Sequence, residues 1–478
     1  MTALETTPRR HGHSARLDRP RWTTPVFACA AMLVSYLPFS AVNGVLGTIR
    51  ADTGASTANL QWVSAAFTVA LVGAVLSGGV LGDLHGRRRV TLVGLGLTAA
   101  GTALGFLAGG FAGGGGIPLL WAAQGAGGLG AGLVMSSTLA LIASTAADAA
   151  ARNRAIAAWA AANVLGLGSG PFLSGVVADH ASWRWLYPPI TALTVAVVVF
   201  GASRALESSA PAGRSADWPG QVTGAVGVVA LVYGVISGGV SGWGSAEALI
   251  GLGLGVVALV GFVVVERRSA APLLRPALFA SRGFSAAGLA AMVVLFTIVG
   301  VVFVLSLFFA HQHVSSLGIA VRLACLFGGN AVASFTAARL QAAFGARVVL
   351  MTGLVVAAAG LVSLLGTTDT SGLGGFSWRL LVTGAGCGLV IATSTAVAVQ
   401  SVPGEFAGMA GAANNAVRQL GGALGAAVVG VVFAARLRAG AGYADAVHTC
   451  AIALAALVLV TAAATGVLLF ARRAPRTA

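Results

Sequence analysis

The chain has 478 residues, of which 57% are hydrophobic and 9% charged, with a mean hydropathy of +0.91. A soluble domain of this length needs far more charge to cover its surface, and a transmembrane β-barrel would show segments of about ten residues with alternating polarity, which are absent. The net charge of +15 comes from arginine alone, since there is no lysine, a bias that fits a bacterium with a GC-rich genome.

The N-terminal tail, Met1 to Arg21, is polar and too charged to be a cleavable signal with its own apolar core. Apolar runs then follow at 25–47, 60–80, 89–109, 117–144, 155–178, 185–204, 219–240, 246–265, 284–310, 318–338, 347–366, 379–401, 409–435 and 447–471. Each is long enough for an α-helix to cross a hydrocarbon core of roughly 30 Å. Backbone groups in lipid must be satisfied within the segment, so the fold class is an all-α polytopic membrane protein of about fourteen spans. The first run is expected to act as an uncleaved insertion signal.

Between the second and third runs stands Gly79-Val80-Leu81-Gly82-Asp83-Leu84-His85-Gly86-Arg87-Arg88-Arg89, a burst of charge and glycine that reads as a tight turn at a membrane face. Arginines mark that face repeatedly: Arg9, Arg10, Arg16, Arg19 and Arg21 precede span one, Arg152 and Arg154 follow span four, and Arg204 and Arg214 follow span six. Arg267, Arg268, Arg275 and Arg282 follow span eight, and Arg472, Arg473 and Arg476 end the chain; Arg436 and Arg438 break the pattern. Positive residues favour the cytoplasmic side, so both termini are expected in the cytoplasm and the protein in the cell membrane. Scattered over short loops, these charges read as topology determinants facing anionic lipid, not as a nucleic-acid surface.

Cys29, Cys325, Cys387 and Cys450 stand singly and read as packed free thiols. His311 and His313 read as an interfacial polar cluster, with a metal pair or proton site as the sharper alternative. Gly125 to Gly130 formally matches a dinucleotide fingerprint, but it lies within an apolar run with no strand before it, so it reads as helix packing through small residues. No P-loop, cofactor site or acid/base constellation appears, so the chain is read as no enzyme, with no cofactor and no metal.

Two motifs have a stated physics. Gly79 and Gly86 would permit close backbone approach, and Asp83 could accept hydrogen bonds from a neighbouring helix N-terminus or an arginine, making Gly79, Asp83, Gly86, Arg87 and Arg88 a conformational latch. Gly166 and Gly170, four apart, share one helix face and Pro171 removes a backbone bond, which suggests a hinge or a tight seam between two halves.

The loop at Gly79–Arg88 resembles the loop motif of the major facilitator superfamily. Further matches are similar to its fourteen-helix branch of drug:proton antiporters: Gln61-Trp62-Val63, Gln124-Gly125, Gly166-Leu167-Gly168-Ser169-Gly170-Pro171, Trp183-Arg184-Trp185, Pro272-Leu273-Leu274 with Leu278-Phe279, and Arg418-Gln419-Leu420-Gly421-Gly422. They run in family order over residues 37 to 430. The resemblance implies two six-helix halves, 25–204 and 284–471, joined by two extra helices with their connectors (205–283), between tails 1–24 and 472–478. Arg339 to Arg347 is a weaker echo of the loop motif, with Ala342 in the place of Asp83.

The resemblance also implies export of a small amphipathic or drug-like molecule by alternating access, from a midplane pocket. Candidates for its lining are Phe39, Asn43, Trp121, Gln124, Asn163, Phe303, Phe308, Asn330, Asn414, Asn415 and Arg418. Departures from the pattern matter here. Pro38 stands where the branch commonly has an intramembrane Asp, Trp121 where it has an Arg, and Ile190 and Ala192 where span six has an Asn and a Pro. All thirteen acids fall in tails, loops or span ends. Proton coupling usually needs an intramembrane group that gains and loses a proton, and arginine does not. Weak or absent proton coupling is therefore expected, any residual coupling running through Asp52, Asp179, His311 or His313, with Trp121 either offering an aromatic wall or filling a helix seam. The partners expected are a small-molecule substrate and the lipid bilayer, with protons in question, no nucleic acid, and a monomeric state. A transporter-like protein without pumping activity, such as a facilitator, sensor or assembly partner, is the alternative.

Overall fold

A computed structural model describes residues 22–111, 115–146, 148–210, 217–269, 272, 274–403 and 406–470. Among these there are fifteen α-helices, three short 3-10 segments and no strand. Glu5, Asp18, Arg214, Leu273, Glu405 and the arginines of the two tails lie outside the described residues.

In chain order the helices are α1 (Thr23–Gly44), α2 (Leu46–Thr53), α3 (Thr57–His85), α4 (Arg87–Ala108), α5 (Ile117–Thr145), α6 (Ala149–Ala178) and α7 (Tyr187–Arg204). Then come α8 (Trp218–Ser241), α9 (Ala246–Arg268), α10 (Arg282–His311), α11 (Ser316–Phe344), α12 (Ala346–Ser363), α13 (Leu373–Gln400), α14 (Ala407–Arg438) and α15 (Tyr443–Phe470). Among the described residues, fourteen helical segments are long and apolar enough to cross a membrane. The exception, α2, is eight residues whose first two fall within the apolar run 25–47; Val45 (φ −119°) breaks the helix before it and Gly54 (φ +68°) ends it.

The starts of many helices are written in the sequence. Ser56, Asp148, Asp217, Ser245, Ser281 and Ser315 each accept a hydrogen bond from the backbone N–H three residues on, satisfying a donor that the helix cannot. Successive spans reverse direction, so helix ends fall at two faces: a motif face, which holds the turn at Gly86, and a far face. Twelve arginines lie at the motif face (87–89, 152, 154, 204, 267, 268, 275, 282, 339, 347) and six at or near the far face (50, 184, 322, 379, 436, 438). Arg50, Arg184, Arg322 and Arg379 thus join Arg436 and Arg438 as exceptions to the bias read from the sequence.

The packing repeats itself. In the first set α1 packs on α6, α3 on α5, and α4 on α5 and α7; in the second α10 packs on α14, α11 on α13, and α12 on α13 and α15. Glycines place the two sets in one register. A methyl group on Gly128 would stand 2.1 Å from the Phe67 carbonyl oxygen, and one on Gly384 1.9 Å from that of Leu326. Likewise Gly166 abuts the Leu33 carbonyl (2.5 Å) and Gly421 that of Met292 (1.9 Å). The α3–α4 and α11–α12 turns each pivot on one glycine with positive φ, Gly86 (+102°) and Gly345 (+83°), a conformation that side chains other than glycine rarely adopt. The sets meet through α6 against α11 and α3 against α14. The α8–α9 pair lies outside, with Val228, Val232 and Ile236 against α3 and α14.

Candidate functional site

Where the two sets of helices meet lies a cavity with about 960 Å³ of non-atom space, part of it continuous with solvent. It lies at mid-span depth, since its residues come from the middle of α3, α6, α10 and α11, while on α1 it reaches Asn43 at the far-face end of the helix. From α1 come Tyr36, Phe39, Ser40 and Asn43; from α3, Phe67, Thr68 and Leu71; from α6, Asn163, Val164 and Leu167. The second set supplies Leu295, Ile298, Val299 and Val302 of α10, Phe327 and Asn330 of α11, Ile391 of α13, and Arg418 and Gln419 of α14. A predominantly apolar wall with a few convergent polar groups is the usual character of a small-molecule pocket.

Of the residues singled out in the sequence, Phe39, Asn43, Asn163, Asn330 and Arg418 are on this wall, and six are not. Trp121 sits near the far face, where its Nε1 donates to the Asn59 carbonyl (3.0 Å) and its ring lies 6.3 Å from that of Trp62. It staples α5 to α3 and forms no wall of the cavity. Gln124 is buried in α5, and Asn414 turns to Ser394 and Thr395 of α13. Asn415 stands behind the wall, donating to the Met135 sulfur (3.3 Å) and accepting from Arg418. Phe303 and Phe308 are fully buried in helix packing. The sequence reading missed Tyr36, Phe67, Thr68 and Gln419. Tyr36, Phe39 and Asn43 follow a three-then-four spacing along α1, the stripe of one helix face, which was the available signal.

The wall is electrostatically one-sided. Among the described residues Arg418 is the one charged residue on it, and the two ion pairs, Arg87–Asp83 and Arg88–Glu207, are at the motif face. The ten acids in the described segments all lie in loops or at helix ends, as their positions in the sequence indicated. Asn43 donates to the Phe39 carbonyl (2.7 Å) while its Oδ1, like the Asn163 Nδ2, has no hydrogen-bond partner among the described residues. Phe39 and Phe67 stack with centroids 4.9 Å apart.

Contacts between the two sets differ between the far side of the cavity and its wall. Toward the far face they reach the backbone. A methyl on Gly175 would stand 2.5 Å from the Leu317 Cα, and one on Gly47 2.0 Å from the Ala310 Cβ. Asp179 accepts from the backbone N–H of Ser316 (2.8 Å) and Leu317 (3.2 Å), and Gln61 donates to the Ala427 carbonyl (3.1 Å). At the cavity wall itself side chains make the bridge: Gln419 donates to the Tyr36 hydroxyl (3.0 Å), which donates to Met135.

At the motif face Asp83 accepts from Arg87 Nε (3.0 Å) and Nη2 (2.7 Å). Ser208 and Glu207, which the motif did not include, complete this cluster. The Arg87 N–H donates to the Ser208 carbonyl (2.9 Å), and the Glu207 carboxylate caps α4, accepting from the N–H of Arg88 (2.9 Å) and Arg89 (3.2 Å). The Arg88 guanidinium donates to the Ala205 carbonyl (3.1 Å). A methyl on Gly86 would meet the Glu207 carboxylate at 2.8 Å, whereas one on Gly79 would meet nothing within 4 Å. Gly86 therefore has the close-approach role expected of both glycines, and Gly79 does not.

The seam expected between the halves at Gly166 and Gly170 lies instead within the first set. There α6 is pressed on α1, with a methyl on Gly170 1.9 Å from Ser40 Oγ, and Ser40 donates to the Gly166 carbonyl (2.9 Å). The opposite face of α6, at Gly168 and Gly175, meets α11. The cysteines are free thiols, and no group of His, Cys, Asp and Glu among the described residues could hold a metal. His311 stacks on Tyr443 with centroids 3.6 Å apart.

Residues 28–426 match the model of the Major Facilitator Superfamily. The chain is 31% identical over 430 residues to multidrug resistance protein Stp of Mycobacterium tuberculosis, covering 88% of this chain and 78% of Stp. It is 35% identical over 422 residues to cephamycin export protein CmcT of Amycolatopsis lactamdurans, covering 85% and 84%. Puromycin resistance protein pur8 of Streptomyces alboniger is 32% identical, covering 87% and 82%. Among solved structures, an inward-facing, unoccupied bacterial homologue of the human lysosomal transporter Spinster aligns with TM-score 0.67 at 15% identity, covering 95% of this chain and 99% of that one. The xylose transporter XylE of E. coli, partly occluded and inward open, aligns with TM-score 0.63 at 14% identity, covering 95% and 100%. The repeated helix packing, the mid-span cavity and these matches agree: the chain belongs to the Major Facilitator Superfamily and is a multi-pass membrane transporter.

Proposed function

We propose that this chain exports amphipathic, drug-like compounds from the cytoplasm by alternating access, with both termini and the motif face cytoplasmic. The observation that carries this reading is the cavity between the two sets of helices, closed by backbone contacts toward the far face and bridged only by side chains at its own wall. Side chains change rotamer readily, while contacts at the backbone part only when whole helix sets move. The state described thus binds from the motif side, and rocking of residues 25–204 against 284–471 would release toward the far side. The relatives named for multidrug resistance, cephamycin export and puromycin resistance support the substrate range.

The Asp83–Arg87–Ser208–Glu207 cluster joins three segments of the first set, so it is read as the brace that lets this set move as one body. Transport is expected to depend on it without its touching substrate. No carboxylate lines the cavity among the described residues, which favours export without a protonated pocket group.

Intact cells with and without the chain, loaded with a panel of fluorescent amphipathic dyes, test the reading. Lower steady-state accumulation of at least one dye in expressing cells is expected. Equal accumulation of all of them with the protein present in the membrane contradicts it. A reporter fused after residue 478 should remain cytosolic, and a translocated one would overturn the orientation.

A further inference from the structure

The cavity pairs two positions that the repeat makes equivalent. Asn163 and Arg418 each stand three residues before the first glycine of a pair spaced by four, Gly166 with Gly170 in α6 and Gly421 with Gly425 in α14. Both glycine pairs press their helix on a partner at backbone distance: Gly166 and Gly421 on the carbonyls of Leu33 and Met292, Gly170 and Gly425 on Ser40 and the carbonyl of Phe296. Both Asn163 and Arg418 line the cavity. The first set thus presents a neutral amide and the second a permanent cation, since arginine keeps its proton in proteins.

Among the described residues that cation hydrogen bonds to the neutral side chain of Asn415 and has no carboxylate in an ion pair. A charge held away from bulk water without a counter-ion is costly, and attraction to an opposite charge is stronger there than in water. The stacked Phe39 and Phe67 supply an aromatic surface in the same cavity, and the Asn43 Oδ1 and Asn163 Nδ2 supply polar atoms with no partner among the described residues.

We propose that the substrates are organic anions, each an aromatic or apolar body bearing one carboxylate, sulfonate or phenolate, with Arg418 as the counter-charge that admits them. This deepens the export reading and rests on it. A loaded site is electrically balanced, while the empty site carries the positive charge of Arg418. Each cycle therefore moves the substrate's negative charge outward, and the inside-negative membrane potential drives export with no proton exchanged.

The full chain in liposomes of neutral lipid tests this with three ring-matched probes: naphthalene sulfonate (anionic), naphthalene sulfonamide (neutral) and naphthyl trimethylammonium (cationic). Potassium diffusion potentials of either sign are imposed with valinomycin. Sulfonate flux is expected to exceed trimethylammonium flux by about tenfold or more, the scale of a charge-assisted hydrogen bond. It should speed up when the potential draws anions across and slow when the sign is reversed. Arg418→Gln should cost about tenfold in sulfonate flux and leave the neutral probe within a few fold, while Arg418→Lys, which keeps the charge, should retain most of it.

Cationic or neutral probe moving as fast as the anion in the unaltered protein overturns the anion assignment and leaves the export reading intact. Flux of no probe through folded protein overturns both. Equal losses for all three probes in the Gln and Lys variants would assign Arg418 to packing, against the proposal.

Discussion

Asp179 closes the C-terminal end of α6 onto the N-terminal end of α11, its carboxylate accepting from the Ser316 N–H at 2.8 Å and the Leu317 N–H at 3.2 Å. A carboxylate on a helix N-terminus satisfies orphan donors and opposes the positive end of the helix dipole. The bond joins the two helix sets, so it contributes to the far-face-closed state and vanishes when that face opens. Such caps are worth about 0.5–2 kcal/mol, or roughly a 2- to 30-fold bias between states. In a cysteine-free background with Gly168→Cys, which faces Phe327 of α11, Asp179→Ala should raise labelling by an impermeant thiol reagent from the far face several-fold. Unchanged labelling would show that the clasp does not set the equilibrium.

The glycine contacts predict a sharp contrast. Gly421→Ala forces a methyl against the Met292 carbonyl, where neither backbone can yield, and overpacking of this kind costs about 1–3 kcal/mol. Gly79→Ala adds a methyl to open space and gains helix propensity. Thermal melts in detergent should show Gly421→Ala clearly destabilised and Gly79→Ala at or above the unaltered protein. Equal melts would mean that the α10–α14 seam is looser than described.

Glu207→Gln should loosen the motif-face cluster by removing the charged cap of α4. Hydrogen exchange at the Arg88 and Arg89 amides is expected to rise by roughly 2- to 30-fold, following a lost cap of about 0.5–2 kcal/mol, while exchange in the middle of α4 stays put. Asp83→Asn, which keeps shape and removes charge, should reduce turnover but leave substrate affinity within a few fold, because this cluster is at the membrane face. Loss of binding by a correctly inserted Asp83→Asn protein would place Asp83 in the substrate site instead.

Trp121→Phe tests the corrected role of that residue. It removes the bond to the Asn59 carbonyl, worth about 0.5–1.5 kcal/mol, and leaves the cavity wall unchanged. Export profiles across a set of aromatic compounds should keep their rank order, with a modest fall in melting temperature. A reordered profile would return Trp121 to the pocket.

The spans were legible because length and apolarity alone specify a crossing helix, and the Gly86 turn because charge cannot remain in hydrocarbon. What apolar runs do not reveal is azimuth, since a helix in lipid can be apolar all round. Asn414 and Asn415 are neighbours in sequence, yet one turns to α13 and the other braces Arg418 from behind the wall. Tyr36 and Phe67 face the cavity but read as ordinary apolar filling. Asn163 and Arg418 stood out because an amide and a guanidinium in an apolar run need a reason to be there. Glu207 escaped because its partners are 119 and 118 residues away in sequence.

Alternating closure of the two faces is the claim on which the rest depends, and one cross-linking measurement reaches it directly. In a background with Cys29, Cys325, Cys387 and Cys450 replaced by alanine, Asp179→Cys with Ser316→Cys places two thiols where α6 meets α11 at the far face. A short bifunctional thiol reagent should then abolish substrate flux in liposomes while binding from the motif side persists within a few fold, and each single-cysteine protein should transport at the same rate with and without the reagent. Flux that continues at its normal rate through fully cross-linked protein would contradict release at the far face and the account built on it.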